Sequence, residues 1–306
     1  MSKSKGKLSN SFILFKESYK ELIKNDPLRM AGATAFFTSF ALPPILIILI
    51  QALGLLFEPR KIAHQLFQDL SEIIGKESMF EIIQTLIGFR RLAHNWFIAI
   101  AGFLFMIFIA STLFLIIKSS INQLWKIRLN KPLSFYQKMK KRLQSIYLIL
   151  IAGVLFIAGV FLDGIQQYLA ESVFNLSASN VILFNKISDY IFSLIAVTTW
   201  FAILFRYLPD GRPTWKVSLI GGAITSLFFN IGKLLLHVLL NYKNIDAIYR
   251  TSASVVLLLL FVFYSSLILY FGAAFTKLYA ERKHLSIKPL ANASHYKLTQ
   301  IKEIMA

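Results

Sequence analysis

Six apolar stretches decide what this chain can become. They run over about residues 31–56, 96–117, 146–165, 187–207, 217–240 and 252–278. Each is near or above the roughly 20 residues that a helix needs to cross a bilayer. In hydrocarbon every backbone N–H and C=O must find its partner within the protein, so stretches of this length fold as helices. The predicted fold is therefore all-α: a polytopic membrane protein with six transmembrane helices. Composition agrees, since 56% hydrophobic residues and a mean hydropathy of +0.62 are too apolar for an ordinary soluble domain.

Charge orients the bundle. There are 33 Lys plus Arg against 15 Asp plus Glu, a net charge of +18. In a soluble protein that excess would point to nucleic acid. Here its placement follows the positive-inside rule. Residues 118–145 carry Lys118, Lys126, Arg128, Lys131, Lys138, Lys140, Lys141 and Arg142 with no acid. Arg206, Arg212 and Lys216 bound another short basic connection, and Arg282, Lys283 and Lys288 begin the tail. Residues 57–95, 166–186 and 242–251 are near neutral. The pattern predicts both termini in the cytoplasm. No nucleic-acid partner is expected. The expected partners are membrane lipids, with Lys138, Lys140, Lys141 and Arg142 placed to meet anionic head groups.

The flanking segments divide into three. Residues 1–30 form a basic N-terminal unit, with 1–10 expected to be disordered. Phe12, Phe15, Tyr19, Leu22 and Ile23 recur at helical spacing among Lys16, Glu17, Lys20, Glu21 and Lys24, the pattern of an amphipathic helix on the membrane interface. Asn25-Asp26-Pro27 breaks it. The first 25 residues lack an apolar core of signal-peptide length, so the first span is expected to act as an uncleaved insertion signal. Residues 31–278 are the six-helix domain, whose connection 57–95 holds short amphipathic helices. Residues 279–306 form a basic cytoplasmic tail. The chain has no cysteine, which excludes disulfides, thiol chemistry and Cys-based zinc sites.

The fifth span contains the strongest pointer to function. Stepping about 100° per residue from Gly222 places Lys233, Ser226, His237 and Asn230 within about 80° of arc, with Leu, Phe, Ile and Val over most of the rest. A lysine near the bilayer centre costs roughly 2.5–3.5 kcal/mol on insertion scales, so it should face protein or water. Two readings stand. The stripe lines a polar pathway, or Lys233 snorkels outward while Gly222 and Ser226 only allow close packing. The topology sets Asp163, Asp189 and Gln51 at a depth comparable with Lys233 and His237. Aspartates facing the lysine would relieve the cost of burying both. They are equally readable as water-exposed helix ends. Pro43 and Pro44 fall near the middle of the first span, where they predict either a packing kink or an unwound, moving segment.

Catalysis finds little support. The five histidines, His64, His94, His237, His284 and His295, are dispersed, and no metal-ligand spacing is present. The acids of the cytoplasmic side, Asp26, Asp210, Glu281, Glu303, Glu17 and Glu21, do not form a recognisable constellation. No phosphate loop is present, so direct ATP hydrolysis is not expected. The sequence predicts a non-enzyme with no cofactor, no catalytic residue and no metal.

Four segments carry a resemblance. Asp26-Pro-Leu-Arg-Met-Ala-Gly-Ala-Thr-Ala-Phe-Phe-Thr-Ser-Phe-Ala-Leu-Pro-Pro44 is similar to the first-helix signature of the YihY/BrkB family of bacterial inner-membrane proteins. Ser120-Ile-Asn-Gln-Leu-Trp125 resembles the segment after the family's second helix. Leu208-Pro209 with Trp215 and Gly221-Gly222-Ala223 resembles the start of its fifth. Phe271-Gly-Ala-Ala-Phe-Thr276 resembles the end of its last. Three positions depart from the family pattern. Tyr249 is followed by Arg250 where relatives often have Gly, Phe261 stands for a frequent Trp, and Ala274 for a frequent Glu. Any role resting on that glutamate is put in question here. The resemblance implies a six-helix protein of the bacterial inner membrane. The family's older label, ribonuclease BN, was a misassignment, and no nuclease constellation can be assembled from these residues. The expectation is transport or translocation of a small solute or lipid through a polar cavity open to the outside. Lys233 would attract an anionic group, His237 would titrate near neutral pH, and Pro43-Pro44 would move. The alternatives are a non-transporting envelope scaffold or assembly partner and, less favoured, a ribonuclease.

Overall fold

The computed structural model describes residues 2–55, 57–92, 96–168, 178–240 and 253–297. Among them the helices are α1 (Ser2–Ile23), α2 (Pro27–Leu53), α3 (Pro59–Ile74), α4 (Lys76–Leu92), α5 (Trp96–Leu124), α6 (Phe135–Tyr168), α7 (Ala178–Tyr207), α8 (Trp215–Leu240) and α9 (Ala253–Arg282). Four short strands accompany them: β1 (Ile127–Leu129), β2 (Gly211–Arg212), β3 (Lys288–Pro289) and β4 (Ala293–His295). The six helices α2 and α5 to α9 are long and apolar enough to cross a membrane.

These six close into a ring in chain order. Helix α2 packs on α5, α5 on α6, α6 on α7, α7 on α8 and α8 on α9, and α9 returns to α2. The α7–α8 hairpin is the most extensive pairing. The interior is packed with Leu148, Ile149, Phe205, Ile121 and Tyr270, all nearly inaccessible. The outward faces are apolar too. Phe36, Phe40, Phe97, Ile100, Leu104, Phe108, Val154, Ile191, Ile195, Leu227 and Leu234 are exposed. In water such a belt would be an aggregation surface, and in a bilayer it is the lipid-facing wall.

Several elements extend beyond what hydropathy predicted. Helix α5 continues past Ile117 to Leu124, α6 begins at Phe135 and not near 146, and α7 begins at Ala178. The turns added to α5 and α6 are mostly polar, so they are invisible to an apolar-window argument although nothing in them breaks a helix. Helix α1 begins at Ser2, which replaces the disorder expected for 1–10. It lies on α9, with Phe15 among Phe228, Phe271 and Phe275 at ring separations of 5.3–6.2 Å. Residues 57–92 form the amphipathic α3 and α4, joined at Gly75 with φ 89°. They cover one end of the ring, where Ile74, Met79 and Ile82 pack with Leu46 and Leu258.

The other end is basic and held by strands. The segment after α9 doubles back as a strap: β4 pairs antiparallel with β1, and β3 with β2. Thus the tail, read in the sequence only as a basic extension, binds both basic connections. Backbone bonds from Leu290 N to Asp210 O and from Tyr296 N to Lys126 O complete the attachment.

Candidate functional site

The basic end gathers most of the buried charge among the described residues. The connection after α7 turns inward because Leu208 is buried and Pro209 follows it, which leaves Asp210 at 1% exposure. Gly211 permits the turn. A Cβ there would lie 2.5 Å from Ile127 Cδ1 and 2.8 Å from Ile287 Cγ2, so a side chain would push β1 and the strap away. Asp210 Oδ1 receives Lys118 Nζ of α5 at 2.8 Å and Lys141 Nζ of α6 at 2.9 Å. Its Oδ2 accepts from Asn122 Nδ2 at 2.8 Å, and the Asp210 amide donates to Asn122 Oδ1 at 2.9 Å. Burial pushes the Asp210 carboxyl up, but the two ammonium groups outweigh it and hold the group below its ordinary value of 3.8. One carboxylate therefore ties α5 and α6 to the α7–α8 connection, the Asp210 backbone carbonyl accepts from Leu290 N of the strap, and the cluster retains one positive charge in excess.

A second cluster joins α1 to the same end. Glu21 Oε1 meets Lys277 Nζ at 2.7 Å and Lys126 Nζ at 3.5 Å. Burial raises the Glu21 carboxyl, and Lys277 and then Lys126 more than reverse this, leaving it lowered. Glu17 meets Arg282 at 2.7 Å. Between the clusters, Trp125 is buried and donates from Nε1 to Ala273 O at 2.8 Å, and the Thr34 and Tyr270 hydroxyls are 2.5 Å apart. Ala274, the position that relatives often fill with Glu, is fully buried beside them. The segments Ser120–Trp125, Leu208–Pro209 and Phe271–Thr276 thus converge on one place. Sequence reasoning set Asp210 aside as one of several scattered acids. The available signal was local: it is the lone acid between Arg206 and Lys216, opposite a lysine that directly ends an apolar run.

The fifth-span stripe lies elsewhere. Gly222, Ser226 and Asn230 are buried in the seam between α8 and α7. A Cβ on Gly222 would come within 2.6 Å of Thr198 O and 2.9 Å of Ala202 N. Ser226 donates to Leu194 O at 3.2 Å, and Asn230 donates to Ser226 O at 2.9 Å. Lys233 is half-buried farther along α8 and pairs with no carboxylate among the described residues. The side chains of His237, Asp163 and Asp189, all of His94, and the connection bearing Lys243, Asp246 and Arg250 lie outside the described residues. Gln51 is exposed on α2, while α8 packs chiefly on α7 and α9. Helix α2 passes through Pro43 and Pro44 without unwinding, both rings buried. Of the four cations expected at lipid head groups, Lys138 and Lys140 are exposed. Lys141 is held by Asp210, and Arg142 turns toward Ser111 of α5. Among the described residues, no three His, Cys, Asp or Glu side chains converge as a metal site would require.

The family model described as Virulence factor BrkB matches residues 18–296. Among curated proteins, a UPF0761 membrane protein of Saccharophagus degradans is 25% identical over 276 residues, covering 88% of this chain and 60% of that protein. Namesakes from Chromohalobacter salexigens and Delftia acidovorans are 23% and 24% identical, covering 87% and 80% of this chain. They are themselves covered to 64% and 52%, so the chain spans a little over half the length of the curated relatives it matches. No solved structure matches. With its six spanning helices and a family match over nearly the whole chain, this multi-pass inner-membrane protein belongs to the BrkB family.

Proposed function

We propose that this protein translocates a small anionic solute or a lipid across the inner membrane, and that the Asp210 cluster is the gate of its cytoplasmic side. The positive-inside rule assigns the basic end to the cytoplasm. The observation that carries the reading is the cluster itself. Desolvating buried ions costs several kcal/mol each, and apolar side chains of the same volume commonly serve stability as well or better. Such a cluster suits a junction that must hold one arrangement and release it. Here a single oxygen engages two helices at once. Loss of that contact would remove, in one event, a tie of α6 to α5 and a tie of α6 to the α7–α8 connection.

Lys233 is the second support. A half-buried cation in a span, with no described carboxylate partner, is suited to attract an anion arriving from the opposite side. Translocation then consists of opening at the Asp210 side while α7 and α8, held by the Gly222 seam, move as one body. The chain has no cysteine, so single cysteines at 226, 230 and 233 report cleanly. Labelling of position 233 by a membrane-impermeant thiol reagent from the periplasmic side is the expected result, with 226 and 230 slower. If all three resist while exposed loop cysteines react, no aqueous path reaches α8 and the protein is a scaffold.

A further inference from the structure

Arg142 differs from the exposed Lys138 and Lys140 of the same helix in bonding to a neighbouring helix. It lies on α6 facing α5, and its Nη1 contacts Ser111 Oγ at 2.6 Å, Phe108 O at 3.2 Å and Thr112 Oγ1 at 3.5 Å. The guanidinium carbon sits 4.2 Å from the centroid of the Phe108 ring. Ser111 is seven residues before Lys118 in α5. At a rise of about 1.5 Å per residue its backbone lies about 10 Å farther along α5 from the basic end than that of Lys118. Helical side chains ordinarily lean toward the helix N-terminus, which for Arg142 is the basic end. Its side chain instead reaches into the apolar wall.

The surroundings of this guanidinium are lipid-facing. Phe108 and Leu104 on α5 and Leu143 and Tyr147 on α6 are all more than half exposed. The Ser111 and Thr112 hydroxyls donate to Phe108 O, so only their lone pairs meet the arginine. No carboxylate pairs with Arg142 among the described residues, and its Nε and Nη2 have no partner there. These two N–H groups form the edge of the fork that binds phosphate or carboxylate bidentately. Hydrocarbon offers them no acceptor. The acceptor a bilayer does supply at shallow depth, with two oxygens and a compensating charge, is a lipid phosphodiester.

We propose that Arg142 holds the phosphate of an anionic phospholipid, with the acyl chains along the exposed apolar side chains of α5 and α6. The lipid is a bound component of the fold and not a loose surface counterion, which separates Arg142 from Lys138 and Lys140. The site stands whether or not the protein translocates anything.

Native mass spectrometry of the delipidated protein, titrated with dioleoylphosphatidylglycerol, tests it. Losing a charge-assisted bidentate contact should weaken the tightest lipid adduct of Arg142→Leu by about tenfold or more. Arg142→Lys should lose most of that affinity, since an ammonium cannot present the fork. Lys138→Ala combined with Lys140→Ala should leave the tightest adduct unchanged. Dioleoylphosphatidylcholine should bind more weakly than the glycerol lipid. Unchanged affinity in Arg142→Leu overturns the proposal, and if that variant elutes as an aggregate, unchanged affinity in Arg142→Lys does so. Equal loss in the Lys138/Lys140 variant also overturns it, leaving a peripheral charge effect. So does displacement of the lipid by equimolar inorganic phosphate, which would make the ligand a soluble anion.

Discussion

Replacing Asp210 with Asn is the sharpest perturbation the fold offers. The substitution is nearly isosteric, so it removes charge without opening a cavity, and its single amide oxygen can serve the two lysines or Asn122 Nδ2 but not both. What remains is two ammonium groups, with side chains 9% and 16% exposed, 2.8 and 2.9 Å from a neutral oxygen. Breaking one side of a buried ion pair typically costs about 3–5 kcal/mol, because the partner is left uncompensated. Part of that is recovered here, since Lys141 is the less buried of the two and can swing outward. The expected loss is about 2–4 kcal/mol. Lys141→Met should behave oppositely. It removes the excess cation, leaves Asp210 paired with Lys118 and Asn122, and supplies an apolar chain of similar length. Its expected cost is about 1 kcal/mol or less. Reversible unfolding in mixed micelles by sodium dodecyl sulfate measures both. The reasoning is refuted if Asp210→Asn lies within about 0.5 kcal/mol of wild type, a shift typical of unremarkable surface changes. It is refuted equally if Lys141→Met costs as much as Asp210→Asn.

Other consequences follow from the same contacts. Asp210 and Glu21 both have lowered carboxyl pKa values in the folded state, so their stabilisation is present above their ordinary values of 3.8 and 4.5. It is lost as the pH falls through the lowered values. Unfolding free energy should therefore decline below about pH 4.5, and an Asp210→Asn, Glu21→Gln double variant should show a shallower acid limb over the same range. Gly222→Val should force α8 from α7 and cost about 1–3 kcal/mol by overpacking. Gly102→Val should cost well under that, because a Cβ there meets nothing within 4 Å; matched micelle titrations compare the two. Trp125→Phe removes the bond to Ala273 O from a fully packed site and should cost about 1–2 kcal/mol, read by the same titration. Ending the chain after Arg282 removes β3 and β4 and the amide that caps Asp210 O. Limited proteolysis should then cut between residues 208 and 214, where the full-length protein resists, and equal resistance would show that the strap is dispensable.

The spans were legible because hydrophobic length and backbone satisfaction leave a chain in lipid almost no alternative to helices. The ends of those spans were not. Ser119 to Gln123, and Gln137 to Arg142, are polar but for Ile121 and Met139 and lie on α5 and α6, so hydropathy drops while the helix continues. The stripe on α8 was visible in one helix's periodicity, yet its environment depended on which helix faced it. Thr198 O against Gly222 and Leu194 O against Ser226 are backbone atoms of α7, and no side-chain pattern announces them. Asp210, Lys118, Asn122 and Lys141 come from three separate parts of the chain. Each is individually ordinary, and only the ring of helices brings Lys118, Asn122 and Lys141 within 3 Å of the Asp210 carboxylate. The strap was hidden for the same reason: strands of two and three residues carry too little alternation to be read.

Double electron–electron resonance across the basic end tests the gate most directly. Spin labels at Tyr136 of α6 and Thr214 before α8, both exposed, span the contact that Asp210 closes. In lipid nanodiscs the wild type should give one dominant short distance, and Asp210→Asn should add a longer population while remaining folded. An unchanged single distance in the variant would contradict the gate and leave the cluster a fixed structural tie.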